Sequence, residues 1–271
     1  MTSNFLEDRV DDILESILET DSDNVYLINP TAPVLETFVR VATAIEDRPV
    51  VRLLADERTL KDVLDDFIVA SNAADLVDDG VLEIRTQEAA PQNALAITDD
   101  AVVALVEAGD RFAGLGTQDE SFAGVAREAY TAEWEAAEPF GLRTPALSVV
   151  TETLESDIGP TAEADFSDIL NSLETARGDG DGLDEVTISL LVAARNEALL
   201  YDISKWGEDV GIASKATFSR TKTRLEDMGL IDTEKVPIDV GRPRLRLKIA
   251  DDRLAEADSD QIATVTQSIL T

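Results

Sequence analysis

The 271-residue sequence has 56 acidic and 23 basic residues, a formal net charge of −33 and a hydrophobic share of 44%. This hydrophobic share is ordinary for a globular protein, and the length suits two domains that each bury a core, so the acidity does not predict disorder. The sequence contains no Cys and no His, which excludes disulfides, thiolate zinc sites, His-ligated metals and Ser-His catalytic triads.

The acidic residues are spread along the chain, and Arg outnumbers Lys by 17 to 6. This pattern indicates a protein kept soluble in concentrated salt, as in a halophilic archaeon, and the alternative is an acidic protein from an ordinary environment. No apolar run approaches the ~18 residues of a membrane span, and the segment 1–12 has no apolar core of a signal peptide. We therefore expect a cytoplasmic protein that does not contact a membrane.

The first half of the chain alternates strands and helices. An amphipathic helix is expected at 5–19, where Leu6, Val10 and Ile13 recur at helical spacing. Short apolar strands then alternate with helices in a β-α-β-α-β order, which predicts a parallel sheet with helices packed on it. The strands are expected at 25–29, 50–54 and 81–85, and the helices at 33–46 and 59–77.

A hairpin and a long helix complete this region. Asp99 and Asp100 suit the turn of the hairpin, because Asp favours tight turns. We interpret residues 1–138 as an α/β domain with a mostly parallel sheet, used for sensing or dimerisation. Its remaining elements are expected to be strands at 94–98, 101–107 and 111–115 and a helix at 119–138.

A ligand pocket in this domain would lie beyond the carboxyl ends of the parallel strands. Polar residues at these positions could contact an effector, or they could cap helices and shape turns. Both alternatives stay open for Asn29, Thr31, Asp56 and Arg58.

Residues 139–182 are interpreted as a linker that contains helices. Prolines and glycines punctuate it, which is typical of a domain boundary. Helices are expected within it at 147–156 and 166–177.

The next residues have the spacing of a helix-turn-helix. A first helix is expected at 184–199, and Ser204 would cap a short second helix. Gly211 suits the turn between helices, and Ser214 suits the N-cap of a third helix at 215–228.

A β-hairpin follows the third helix. Strands are expected at 231–236 and 244–249, with basic residues on one side of the second strand. We interpret residues 183–250 as an α+β winged helix-turn-helix domain and residues 251–271 as a C-terminal helix.

Charge singles out this domain as the candidate binding surface. The window 201–250 holds 10 basic and 8 acidic residues and so carries about +2, whereas the other 221 residues carry about −35. A surface that contacts a polyanion needs such local relief from acidity. The polyanion that a helix-turn-helix binds is DNA. On the third helix, the residues expected to contact the edges of DNA bases are Thr217, Ser219, Arg220 and Thr223. Phosphate contacts are expected from Ser214, Lys215, Lys222, Arg224, Arg242, Arg244, Arg246 and Lys248.

The helix-turn-helix residues resemble those of TrmB-like and MarR-like winged-helix regulators. The sequence departs from that pattern at Lys222, where the family has an apolar residue, although a lysine stem can cover a core while its ammonium reaches water. The residues that carry the resemblance are Trp206, Gly211, Ser214, Thr217, Phe218, Ser219, Arg220, Leu225, Gly229, Leu230 and Ile231.

The acidic composition, the α/β first domain and the C-terminal winged helix together are similar to the haloarchaeal regulator family called TbsP. That resemblance implies a transcription factor for genes of central carbon metabolism, acting alongside the sugar-responsive regulator TrmB. The first domain also resembles the phospholipase-D-like regulatory domains attached to TrmB-type winged helices. Those nucleases need a catalytic His, so the resemblance implies sensing or dimerisation here and not catalysis.

We therefore expect a homodimeric regulator that binds double-stranded promoter DNA, and whether its α/β domain binds a small-molecule effector stays open. The segments 5–19, 166–177 and 253–270 are equal candidates for dimer contacts. Two alternatives stay open: a winged-helix protein-interaction module without DNA affinity, and a small-molecule enzyme built on the α/β domain. The missing His, Cys and cofactor-binding motifs disfavour an enzyme, and no cofactor is expected.

Overall fold

A computed structural model of the protein describes residues 4–7, 9–87, 93–109, 111–173, 175–177, 183–238 and 243–270. The chain divides into two compact units. The first comprises Met1–Asp65 and Asn72–Leu142, and the second comprises Asp66–Ser71 and Arg143–Thr271. None of the helices in the described ranges is long and apolar enough to span a membrane.

The first unit is built on an eight-stranded mixed sheet in the order β1-β7-β6-β5-β2-β3-β4-β8. The predicted parallel arrangement is confirmed for β2, β3 and β4, while the flanking pairings are antiparallel. The α/β fold class is thus confirmed. Antiparallel strands extend the sheet on both sides of its parallel centre. The strands are β1 (Asn4–Glu7), β2 (Asn24–Ile28), β3 (Val50–Ala55), β4 (Leu82–Thr86), β5 (Ala94–Ile97), β6 (Val102–Ala108), β7 (Arg111–Thr117) and β8 (Glu138–Pro139).

Five helices accompany this sheet in the described chain, and two predictions for them are wrong. The predicted helix at 5–19 is a strand in its first part, because β1 pairs with β7, which local periodicity cannot reveal. The predicted helix at 59–77 is broken in two, because the Asp66 carboxylate accepts the Ile68 and Val69 N–H groups and starts a new helix. The helices are α1 (Val10–Leu18), α2 (Ala32–Ala44), α3 (Glu57–Val63), α4 (Phe67–Asp78) and α5 (Glu120–Ala136), and the residues of α4 up to Ser71 belong to the second unit.

Helix α5 packs on the sheet face that carries Tyr26. The rings of Tyr26 and Trp134 meet edge to face with centroids 6.3 Å apart, and the Tyr26 hydroxyl lies 2.9 Å from Thr131 Oγ1. Ala123 and Trp134 are buried in this contact while most of α5 is exposed. The helix therefore packs on the sheet through a narrow apolar stripe.

The second unit contains the winged helix and the helices that precede and follow it. The predicted helix at 166–177 instead spans 160–171, because Pro160 occupies its first turn and Gly159 precedes it with φ of 139°. The elements are α6 (Leu147–Asp157), α7 (Pro160–Asn171), α8 (Glu185–Arg195), α9 (Leu200–Val210), α10 (Lys215–Asp227), β9 (Ile231–Val236), β10 (Arg244–Ile249), α11 (Asp252–Glu256), a 3-10 turn (Ser259–Gln261) and α12 (Ile262–Leu270).

One core serves this whole unit. Phe166 from α7 packs edge to face against Trp206 from α9, with ring centroids 6.5 Å apart. Phe218 and Leu247 join the same cluster and are fully buried. The residues interpreted as a linker thus contribute α6 and α7 to the core that supports the winged helix.

Candidate DNA-binding site

Local sequence signals fix the helix-turn-helix. Helix α9 ends at Gly211, which adopts a left-handed conformation with φ of 94°. Ser214 caps α10, because its Oγ accepts the Thr217 N–H at 3.2 Å. Ser204 does not cap α9 as predicted: α9 begins at Leu200, and the buried Ser204 hydroxyl donates to the Tyr201 carbonyl.

Helix α10 has one buried and one exposed face. Phe218 and Leu225 are fully buried, as its apolar spacing predicts. Met228, which follows the last helical residue, is 37% exposed and does not continue that inner face. The outer face is polar and uncovered, as a helix that enters the major groove requires.

The four candidate base-contacting residues lie together on or beside that outer face. Ser219, Arg220 and Thr223 are exposed, and Thr217 is half-buried. The Arg220 guanidinium donates to Thr217 Oγ1 at 3.2 Å, and the Thr223 hydroxyl donates to the Ser219 carbonyl at 3.1 Å. The structure therefore places one guanidinium and three hydroxyl groups side by side.

Several of the candidate phosphate contacts are already paired with carboxylates. The Lys215 ammonium lies 2.5 Å from Glu208 of α9, and the Lys248 ammonium lies 2.7 Å from Glu234 across the wing. These hydrogen bonds lower the pKa of Glu208 and of Glu234 and raise the pKa of both lysines. All four groups therefore stay charged near neutral pH.

Lys222 is largely covered by the domain, whereas Arg224 is exposed and still bonded to a neighbouring helix. The Lys222 side chain is only 12% exposed, and its ammonium lies 2.6 Å from Glu226 instead of reaching water. Arg224 donates to the Thr187 hydroxyl on α8 at 3.0 Å. Both cations belong to α10, and each is bonded to a residue of the same domain.

The wing brings further cations to the same domain. Strands β9 and β10 pair antiparallel, and Leu247 N–H donates to the Ala198 carbonyl, which adds a short third segment. Arg244 lies 4.1 Å from the centroid of the Tyr201 ring and 3.3 Å from the Asp202 carboxylate. Arg242, at the predicted wing tip, lies outside the described residues.

Two arginines differ from the paired lysines. Within residues 183–238 and 243–270, neither Arg220 nor Arg246 has a carboxylate at ion-pair distance. Arg220 projects from α10 and Arg246 lies on β10, so the helix and the wing each present an arginine without a carboxylate at that distance.

The candidate ligand residues of the first unit act in local structure. Asp56 caps α3 by accepting the Thr59 N–H at 2.9 Å. The Thr59 hydroxyl also donates to the Asp56 carboxylate, and this hydrogen bond lowers the pKa of Asp56. Asn29 adopts φ of 45° directly after β2, and Thr31 precedes α2. Arg58 pairs with Asp62 one turn along α3. A ligand pocket at these four residues stays a prediction.

Sequence reasoning did not assign a role to Glu208 or Tyr201. Glu208 lies in the preceding helix, seven residues before Lys215, and no local spacing rule joins residues across a turn between helices. Tyr201 is 47% exposed, and its position under Arg244 depends on how the wing folds back. Tyr201 precedes Arg244 by 43 residues in the sequence, so no local pattern indicates their contact.

Two family models together match most of the chain. The model "Transcriptional regulator TbsP-like, N-terminal" matches residues 2–145, and the model "Transcriptional regulator TbsP-like, C-terminal HTH domain" matches residues 146–267. No curated protein matches the chain at a significant level.

Similar solved structures share about half of the chain. TrmBL2, an archaeal chromatin protein with a novel mode of DNA binding, is 17% identical with a TM-score of 0.38, covering 51% of this chain and 54% of its own. Nuc from Salmonella typhimurium, a phospholipase D family member, is 14% identical with a TM-score of 0.38, covering 52% and 99%. NucT from Helicobacter pylori is 14% identical with a TM-score of 0.36, covering 52% and 99%. Such low structural overlap leaves the two family models as the basis for assignment.

Proposed function

Since the chain belongs to the TbsP-like transcriptional regulators, we propose that it is a sequence-specific DNA-binding protein that acts at promoters. The observation that carries this proposal is the outer face of α10. Arg220 and the hydroxyls of Thr217, Ser219 and Thr223 form a polar surface, and the stretch from Lys215 to Leu225 has four basic residues and no acidic one in a chain whose net charge is −33. Arginine and hydroxyl groups are suited to base edges in the major groove.

In this proposal, base reading and phosphate binding belong to different residues. Arg220 reads a base edge, and guanine is the base that arginine recognises best. Lys215 at the start of α10 and Arg244 and Arg246 on the wing bind phosphates, which fixes the register on the duplex. Lys248 also binds a phosphate if its ammonium leaves Glu234. Ser214, the residue before Lys215, is a further phosphate contact in this proposal.

The finer parts of the proposal concern assembly and physiology. The protein acts as a homodimer, so that two winged helices meet two half-sites. It works in the cytoplasm of a halophilic archaeon, regulates genes of central carbon metabolism, and acts alongside TrmB. The first unit senses a small molecule or forms the dimer, and it is not an enzyme.

A selection from a random double-stranded DNA library tests the proposal. The full-length chain should enrich one motif, with inverted half-sites if it binds as a dimer. A parallel selection with Arg220→Ala should lose the preference at one position of each half-site. If the wild-type chain enriches no motif over several rounds, the proposal of sequence-specific binding is wrong.

A further inference from the structure

A carboxylate of the protein itself occupies the start of the candidate recognition helix. Glu208 lies in the last turn of α9, and its Oε2 is 2.5 Å from Lys215 Nζ. Its other oxygen, Oε1, accepts the Lys215 backbone N–H at 3.3 Å. One carboxylate therefore binds both the Lys215 ammonium and the Lys215 backbone N–H. This N–H lies in the first turn of α10, where the helix itself offers no acceptor.

These are the contacts that a DNA phosphate would make at the same place. Phosphates bind at helix N-termini through backbone N–H groups and are neutralised by lysine. A phosphate cannot take over both contacts while the carboxylate stays, because the Lys215 backbone N–H has a single hydrogen to donate and like charges repel. Both side chains are 44% exposed, so the pair is accessible and can exchange with another anion.

We propose that Glu208 is an intramolecular competitor of DNA, which must release Lys215 before a backbone phosphate binds at the start of α10. The inference rests on the proposed DNA-binding function and assigns a specific role to one residue. Glu208 then lowers the affinity for every DNA sequence alike, since phosphate contacts carry no sequence information. It also weakens the salt dependence, because the released carboxylate takes up a cation while the DNA loses one.

The next residue supplies a matched control. Asp209 carries the same charge on the same helix, but its carboxylate lies 2.6 Å from Lys205 and makes no hydrogen bond to Lys215. Asp209→Asn therefore removes one negative charge from the neighbourhood and leaves the Glu208–Lys215 contact in place. A comparison of the two variants separates direct competition for Lys215 from the general electrostatic effect of one fewer negative charge.

The experiment measures DNA binding by the full-length chain through the fluorescence anisotropy of a labelled duplex, over a range of KCl concentrations. Glu208→Gln should bind about two- to fivefold more tightly than wild type, which is the worth of one exposed ion pair. Its log–log salt slope should be steeper by about one. Asp209→Asn should bind within about twofold of wild type, and circular dichroism should show equal helix content in all three proteins.

Each outcome is informative. Tighter binding by Glu208→Gln and also by Glu208→Ala supports the proposal, since both remove the competing charge. Unchanged or weaker binding by both variants overturns it, and weaker binding would show that Glu208 orients Lys215 for DNA. If neither wild type nor any variant binds DNA, the proposed function fails and the inference fails with it.

Discussion

The Phe218 ring of α10 packs directly against Gly207 of α9, so that a Cβ atom at Gly207 would come within 3.0 Å of Phe218 Cζ and Cε2. Phe218 and the neighbouring Trp206 are both buried in the core of the second unit. A glycine in the middle of a helix costs about 0.5–1 kcal/mol of stability relative to Ala. Here it permits the close approach of the two helices that hold the candidate DNA-binding face.

Gly207→Ala should therefore destabilise the second unit in spite of the higher helix propensity of Ala. Overpacking of a filled core costs about 1–3 kcal/mol, which exceeds the gain in propensity. Chemical denaturation followed by circular dichroism measures the effect. Gly124→Ala is the matched control, because Gly124 lies in α5 with no atom within 4 Å of the added methyl group. That control should be neutral or stabilise by up to about 1 kcal/mol, and equal behaviour of the two variants would contradict the close packing.

This packing marks how far the sequence alone could predict the fold. Gly211, Ser214 and the apolar spacing of Phe218 and Leu225 are local signals, and they placed α10 and its inner face correctly. The contact of Gly207 with Phe218 is set by how two helices cross, which no local pattern encodes. The same applies to β1, whose pairing with β7 joins residues more than 100 positions apart.

The candidate site shows the same division. Composition and periodicity singled out the cations and hydroxyls of α10, because a basic face is conspicuous in an acidic chain. They did not show which of those cations already have carboxylate partners. The Lys222–Glu226 pair lies within one helix at a spacing of four residues, so it was accessible to sequence reasoning. The Glu208–Lys215 and Asp202–Arg244 pairs required the fold.

Arg220→Ala should weaken binding to the preferred DNA site by about 1–3 kcal/mol and relax the preference at one base position. The reason is that Arg220 is exposed on the outer face of α10, next to Thr217. Titrations against the selected site and its single-base variants measure both effects. Arg253→Ala removes an exposed arginine that pairs with Asp251 outside the candidate face, and it should bind like wild type. Normal discrimination by Arg220→Ala would show that another residue reads the DNA.

Arg244→Ala should weaken binding to all DNA sequences by a similar factor. The Arg244 guanidinium is stacked on Tyr201 at the wing, where it would contact phosphate and not bases. The salt slope of the variant should fall by less than about one relative to wild type, because Asp202 takes up a cation when Arg244 leaves it for a phosphate. Titrations with the preferred site and with an unrelated duplex give the comparison. A loss restricted to the preferred site would place Arg244 at a base edge instead.

The wild-type protein should show a shallower salt dependence than its number of phosphate contacts implies. Lys215, Arg244 and Lys248 each lie against a carboxylate, so DNA binding exchanges one anionic partner for another. The slope of log affinity against log salt should thus be smaller in magnitude than about 0.9 per phosphate contacted. Binding measured over a series of KCl concentrations checks this. A full slope would mean that these ion pairs do not persist in solution.

Asp56→Ala should lower the free energy of unfolding at neutral pH by about 0.5–2 kcal/mol, the usual cost of losing an N-cap. Hydrogen bonds from Thr59 lower the pKa of Asp56, so its contribution is present above the ordinary pKa of an unfolded aspartate. The contribution disappears as the pH falls through the lowered pKa of the folded state. Denaturation of wild type and variant at neutral and acidic pH tests this sign.

The control for this prediction is Asp62→Ala on the same helix. Asp62 makes an exposed pair with Arg58, so its removal should change stability by no more than about 0.5 kcal/mol. A difference between wild type and Asp56→Ala that stays constant from neutral to acidic pH would argue against a charged cap.

The central claim is that the outer face of α10 and the wing bring this protein to specific DNA. The most direct measurement is genome-wide immunoprecipitation of the wild-type protein beside an Arg220→Ala, Arg244→Ala double variant expressed at the same level. We expect sharp promoter peaks with a shared motif for the wild type and the loss of those peaks in the double variant. Peaks that are equally strong in the double variant would contradict the claim, because another surface or a partner would then bring the protein to DNA.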